Sequence, residues 1–473
     1  MKRFVLITFF AFVLAGLVER GSNISAQEKQ NSSEINLGAR LFADERFSTP
    51  RGDLPASCNH CHLFDEDPQG LRGYTDFLAR SWVSFRLQDP RRDELRNSPT
   101  LFDVARMPRL HFDGEFSSLE ELVKGTLAGR PMGWLPGEEQ QALAQARSVI
   151  LSDRGTEGGI EGSYREQFKK TYNVEMENLG GDEIINLIAK AVSEFLRTLN
   201  TKRVSPYDKF LQANNLESEP AAGVSPAAYA ERLLKQVSSL ATDNRLKLSA
   251  DFNRDALKGF EIFFRIEGRE SAGNCVACHT PPLFTDFSFH NTGIAQAEYD
   301  RVHGEGSFFV LAIPDAEQAR RPSAQFRETP VRNRPGAADL GHWNFVDLKA
   351  SPLRHAGEDD DRFLNRMIAT FKTPTLRNLA YTPPFMHTGG YGSLESALME
   401  IMRLSVMARA GHVRSGDEEL KKINITQADI APLIAFLNSL NEDLKLYPSP
   451  QGRARRPLYN QTTTGNRGER KNE

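Results

Sequence analysis

Cysteine is scarce in this chain: 4 among 473 residues, too few to build a disulfide scaffold. Charge of one sign is also lacking. Lys and Arg number 59 against 62 Asp and Glu, a formal net charge of −3, which excludes the basic footprint of a nucleic-acid binder. Beyond residue 18 no apolar run reaches the roughly 20 residues a spanning helix needs. Alternating strand patterns are sparse. What remains, 39% apolar and 26% charged residues, is the makeup of a soluble folded protein with room for two or three cores.

Met1-Lys2-Arg3 precedes an almost unbroken apolar run, Phe4 to Val18, and Ile24-Ser25-Ala26 stands before Gln27. A basic start, a short apolar core and a small-residue cleavage site describe a secretory signal peptide over 1–26. The expected location is therefore a periplasm.

The cysteines form two pairs, each running into a histidine: Cys58-Asn59-His60-Cys61-His62 and Cys275-Val276-Ala277-Cys278-His279. Both read C-x-x-C-H, the c-type haem attachment motif. Two thiols at this spacing add to the vinyl groups of one haem, and the next imidazole reaches the iron. A zinc site needs a second Cys or His pair about 12–20 residues on, and none follows either motif. The motifs predict two covalently bound haems, and an exported protein suits thioether chemistry.

A shift of 275 residues exposes an ungapped repeat. Pro99-Thr100-Leu101, Ala105, Pro108, Gly114 and Ser118-Leu119-Glu120 fall on Pro374-Thr375-Leu376, Ala380, Pro383, Gly389 and Ser393-Leu394-Glu395. Each Ser-Leu-Glu reads as a capped helix start. Gly38-x-x-Leu41-Phe42 and Gly259-x-x-Ile262-Phe263 stand ahead of the haem motifs, and amphipathic helices are predicted over Asp182–Asn200 and Thr426–Asn441. The plan is a haem domain over 34–215, a linker over 216–249 rich in Ala, Pro and Ser at its start, and a second haem domain over 250–445. A polar tail over 448–473 reads as disordered.

Phe371-Lys372-Thr373-Pro374-Thr375-Leu376-Arg377-Asn378 with a following His387, in a chain with two C-x-x-C-H domains, resembles the bacterial di-haem cytochrome c peroxidase / MauG family. Leu95-Arg96-Asn97-Ser98-Pro99-Thr100 is similar to its R-N-x-P-T stretch, and Phe112-Asp113-Gly114 to its W-D-G-R. Ser193–Leu199 and Ser205-Pro206-Tyr207-Asp208-Lys209-Phe210 look like its inter-domain helix and exit. Residues 300–361 match nothing in it and read as a loop-rich insertion.

The resemblance implies a mainly α fold of two tandem cytochrome c-like haem domains with long loops. It implies an enzyme reducing hydrogen peroxide at the N-terminal haem, with electrons passing through the C-terminal haem from a small donor cytochrome or cupredoxin. His62 is then the proximal ligand of the reactive haem and His279 that of the electron-transfer haem. An inter-domain Ca²⁺ site maps onto Asn97, Thr382 and Pro384, whose oxygen donors suit a hard cation; the plain alternative is turn residues around prolines. A homodimer is compatible with this reading.

The chain departs from the family at the distal positions. No histidine stands between His62 and His111, where family peroxidases often carry a switch histidine. MauG-like oxidation of a partner protein is the alternative, and a non-catalytic di-haem carrier or redox sensor a third reading. The distal Gln position falls on Leu122 and the acidic one within Arg130-Pro131-Met132. Arg130 is the candidate that polarises peroxide, against a loop arginine on a haem propionate; Glu120 and Glu121 read as first-turn helix residues. Phe112 replaces the tryptophan between the haems, while Trp82 and Trp134 read as core. At the second haem the distal position falls on Ile401, so Met402 is the candidate iron ligand. Met399, Met407, Tyr391 and His412 are alternatives, and Met399, Met402 and Val406 also read as a core stripe. His290 reads as structural.

Overall fold

The computed structural model describes residues 31–52, 55–62, 89, 96–155, 162–268 and 271–443. The expected signal peptide, Trp82 and the expected tail lie outside the described residues. Among the described residues no helix is long and apolar enough to cross a membrane.

The chain runs through α1 (31–43), α2 (Cys58–Cys61), α3 (Leu119–Leu127), α4 (Glu139–Ser152), α5 (Tyr164–Tyr172) and α6 (Gly181–Leu196). It continues with α7 (Pro206–Ala213), α8 (Pro226–Thr242), α9 (Arg254–Phe264) and α10 (Ile294–His303). The last helices are α11 (Asp360–Arg366), α12 (Leu394–Arg409), α13 (Glu418–Lys422) and α14 (Gln427–Asn438). β1 (Phe289–His290) pairs antiparallel with β2 (Phe371–Lys372). The fold is mainly α, as the sparse strand patterning predicts.

Two large cores correspond to the two haem motifs. In the first, α6 turns Ile184, Ile188, Val192 and Phe195 inward against α3 and α4, the face its 3.6-residue periodicity dictates. In the second, α9 crosses α14, and Tyr207, Phe260, Phe263, Phe284 and Phe436 form a fully buried aromatic cluster. Burying each ring contributes on the order of 1.5–3 kcal/mol. Both cores depend on one close backbone approach. A Cβ on Gly38 would stand 1.9 Å from the Ala191 carbonyl oxygen of α6, and one on Gly259 1.9 Å from the Pro432 oxygen of α14.

The repeat is a repeat of structure. Ser118 and Ser393 cap α3 and α12, accepting from the backbone N–H of Glu121 and Ser396. Asp103 and Asn378 both take left-handed backbone before a short 3-10 turn. His111 (φ 62°) and Met386 (φ 69°) do so as well, as do Gly114 (φ 73°) and Gly389 (φ 67°). Bridges Leu110–Phe116 and Phe385–Tyr391 close the two equivalent loops.

Two stretches differ from the sequence expectation, and the insertion shows more order than composition implied. Tyr207, Phe210 and Leu211 pack in the second core, so the chain crosses between cores before α7 and not after residue 215. The stretch expected as a linker, 216–249, holds α8, whose Tyr229, Leu233 and Val237 also enter the second core. Ser225 caps that helix with Pro226 in its first turn, so residues that read as loop composition act as a start signal. The insertion, 300–361, is loop-rich but not loose. Phe308, Phe326, Leu340, Trp343 and Val346 are buried in a third core shared with α11.

Candidate functional site

Each haem motif is wound into a short helical turn that brings its thiols and imidazole together. His62 donates its N–H to the Cys58 carbonyl at 2.8 Å, and His279 donates to that of Cys275 at 2.8 Å. Asn274, in left-handed backbone, anchors the second motif by donating to the Glu419 carbonyl and carboxylate at 3.0 and 2.8 Å. None of the four cysteines is in a disulfide. Burial pushes the Cys58 and Cys275 thiols up to about 12.

Both motifs open onto one cavity of about 900 Å³, whose wall includes Cys58, Cys61, His62, Cys275, Cys278 and His279. That is near the upper end for a pocket holding an organic ligand. Burial pushes the His62 imidazole down to about 4, with the nearby His111 adding to the effect. Burial also lowers His279. His279 Nδ1 lies 2.9 Å from the Phe284 carbonyl, which fixes the ring and leaves Nε2 as the metal-binding nitrogen. Two thiols and one neutral imidazole per motif, facing shared space, fit two covalently attached haems.

The wall between the motifs is built from both domains. β2 docks on the Phe112 loop, where the Lys372 N–H donates to the Phe112 carbonyl at 2.8 Å and Lys372 Nζ to that of Arg109 at 3.0 Å. Arg96 ion-pairs with the buried Asp113 and forks onto Asp339 of the insertion at 2.6 and 2.7 Å. Burial pushes Asp113 up, but the Arg96 and Arg327 guanidinium groups outweigh it and hold the carboxyl below its usual range. Two more side chains of the insertion reach the first domain. Arg327 meets Glu115 at 2.8 Å, and His342 Nδ1 donates to the Asp113 carbonyl at 2.8 Å while stacking on Phe289 at 3.7 Å.

Asn97 and Pro384 meet directly: the Asn97 side-chain amide donates to the Pro384 carbonyl at 2.6 Å, and Thr382 shares the cavity wall. Asn97 Oδ1 is buried without a hydrogen-bond partner. Arg130 also lines the cavity, ion-paired to the buried Asp89. Leu122 faces the cavity; Glu120 pairs with Arg197 at 2.7 Å and Glu121 is exposed, consistent with first-turn helix residues. Trp134 is buried in the first core. His290 bridges Asp417 and Asp286 at 2.6 and 2.7 Å. Burial opposes its charge, yet the hydrogen bonds to Asp286 and Asp417, with Cys278 adding to them, push it up to about 12.

Met402 does not line the cavity. The cavity wall takes Ala397, Leu398 and Ile401 from α12, whereas Met402 packs against the second core. Successive residues on a helix point about 100° apart, so an offset of one residue exchanges wall for core. The alternatives do not line the cavity either. Met399 is 41% exposed, Met407 packs against Ala408 and Val413, Tyr391 pairs with Arg301 at 3.3 Å, and His412 is exposed.

Sequence reasoning missed His111 and Glu115, which line the cavity, and Asp89. The signal for the first two was their place on either side of Phe112-Asp113-Gly114. Nothing local marks Arg327, Asp339 or His342, because their partners lie over 200 residues away.

Residues 32–216 match the family model of di-haem cytochrome c peroxidases. The chain is 24% identical over 424 residues to cytochrome-c peroxidase IdrP2 of Pseudomonas sp. strain SCT, covering 89% of this chain and 84% of that protein. It is 23% identical over 410 residues to the methylamine utilization protein MauG of Methylophilus methylotrophus, covering 86% and 82%. Among solved structures, the diheme peroxidase BthA from Burkholderia thailandensis superposes with a TM-score of 0.53 at 20% identity, covering 90% of each chain. A MauG-like protein associated with microbial copper homeostasis gives 0.51 at 21% identity, covering 88% of this chain and 92% of that one.

Proposed function

We propose that the chain, which is similar to di-haem cytochrome c peroxidases and MauG, is a periplasmic oxidoreductase that reduces hydrogen peroxide at the His62 haem. Electrons enter through the His279 haem from a small cytochrome or cupredoxin. The observation that carries this reading is the single cavity onto which both haem motifs open. When bound, the two haems would supply redox-active iron. The chain supplies the rest. His62 and His279 are kept neutral by burial, as iron ligands must be. The Phe284 carbonyl orients His279. Phe112, tied to β2 through its carbonyl, lines the cavity that both motifs share, and its ring is too hard to oxidise to serve as a hopping station. Arg130, held by Asp89, places a fixed positive charge in the wall. A Ca²⁺ ion at Asn97, Thr382 and Pro384 would satisfy the orphaned Asn97 oxygen and staple the domains.

Oxidation of a partner protein is the second reading, favoured by the lack of any histidine between His62 and His111. Stopped-flow spectra of the two-haem protein with hydrogen peroxide, with and without a reduced small cytochrome c, separate the two. The peroxidase reading expects multiple turnovers that consume the reduced carrier. A spectral response to peroxide with no carrier oxidation supports the second reading, and no response at all removes both.

A further inference from the structure

Cleaving hydrogen peroxide takes a group that moves a proton from one oxygen to the other. Among the described titratable residues of the first domain that line the cavity, the thiols and His62 are committed to the haem, and Arg96 and Arg130 stay charged. His111 and Glu115 are left. We propose that His111 is the proton-moving group at the His62 haem, with Glu115 and Arg327 as its positioning residues; this rests on the peroxide reading above.

The geometry is a three-member chain. His111 sits on a tight left-handed turn, φ 62°, closed by the Leu110–Phe116 bridge and an edge-on contact with the Phe116 ring at 5.0 Å. Its Nδ1 lies 3.2 Å from Glu115 Oε2, and Arg327 Nη2 meets that same oxygen at 2.8 Å. A carboxylate accepting from Nδ1–H fixes the tautomer and leaves the Nε2 lone pair as the base. Burial pushes Glu115 up, but His111 and Arg327 outweigh it and keep it below the usual carboxylate range, so it is a fixed acceptor and not the acid. The donor atoms of His111, Asp113 and Glu115 are close enough to hold a cation. Arg96 and Arg327 already neutralise both carboxylates, which leaves little attraction for one.

In the proposed step, one O–H proton of hydrogen peroxide goes to His111 Nε2. It passes to the other oxygen as the O–O bond breaks and water leaves. Two electrons from the reduced carrier and two protons from solvent turn the remaining oxygen into a second water. The insertion thereby acquires a task, since Arg327 holds the carboxylate that holds the base.

The test mixes the two-haem protein with hydrogen peroxide and, separately, with potassium cyanide; hydrogen cyanide must lose its proton to bind ferric iron as an anion. His111→Gln is expected to slow both reactions by about a hundredfold or more. Glu115→Gln and Arg327→Gln should slow them less, all with wild-type haem content and ferric EPR. Unchanged rates in His111→Gln overturn the proposal. So does a first-haem EPR signal that turns from low-spin to high-spin in that variant, because the imidazole is then an iron ligand. Should His111→Gln fail to accumulate with two haems, Arg327→Gln decides: slower cyanide association supports the relay and an unchanged rate overturns it. A wild type inert to peroxide whose cyanide binding still depends on His111 would keep the base and remove the peroxidase reading.

Discussion

At the scale of single residues, the decisive contacts are charged and come from distant parts of the chain. Arg96 is the clearest, a guanidinium 14% exposed that satisfies Asp113 and Asp339 together. Removing one partner of a buried pair strands the other charge, at about 3–5 kcal/mol. Arg96→Ala should therefore lower unfolding free energy by that amount in denaturant titration. The same network predicts an acid limit. Asp113 and Glu115 are held below the usual carboxylate range, so their contribution is full above about pH 4 and is lost as pH falls through their lower folded values. Melting temperature followed from pH 5 down to pH 2 should drop more steeply in the wild type than in Asp113→Asn. Parallel curves would mean that other groups set the acid limit.

At the scale of elements, the register of α12 decides what the second haem meets. With Ile401 in the wall and Met402 in the core, Met402→Ala should cost stability yet leave the second haem's optical spectrum unchanged. Ile401→Met places a thioether in the wall and should yield a low-spin signal and a raised reduction potential. Potentiometric titration of both variants checks this, and the opposite pattern would return the ligand role to Met402. The crossings of α1 with α6 and of α9 with α14 make a second prediction. Each needs a residue without a Cβ, since the nearest atom is backbone and cannot swing aside. Gly38→Ala and Gly259→Ala should each destabilise by about 1–3 kcal/mol or more, and each should loosen the haem environment of its own domain only. A neutral Gly259→Ala would show that the helices can separate freely.

At the scale of the whole molecule, two repeats of one unit face a shared cavity, and the insertion ties them together. The proposed calcium acts on that same seam. Asn97→Ala, or chelator on the wild type, should slow inter-haem electron transfer while haem content stays constant; equal kinetics with and without chelator would mean that Asn97, Thr382 and Pro384 serve as turns alone. The insertion matters at this scale because its third core fixes where Arg327, Asp339 and His342 stand. Those three reach across to Glu115, Arg96 and the Asp113 carbonyl.

Much of this was legible in the amino-acid sequence because it is local. The haem motifs, the serine caps at Ser118 and Ser393, the faces of α6 and α14 and each copy of the repeat depend on residues within a few turns of one another. Backbone and covalent chemistry act at that range. The helix α8 was readable in principle too, from Tyr229, Leu233 and Val237, but loop-like composition masked it. What only the tertiary structure decided involves partners far apart or rotations finer than a motif. The Arg96–Asp339 fork joins residues 243 positions apart, and no periodicity announces such a pair. Ile401 and Met402 differ by one step of about 100° around a helix, a difference set by how α12 seats against its neighbours. His111 gains its place only when the first domain's turn, Glu115 and the insertion's Arg327 close around one cavity, because a base is defined by what surrounds it.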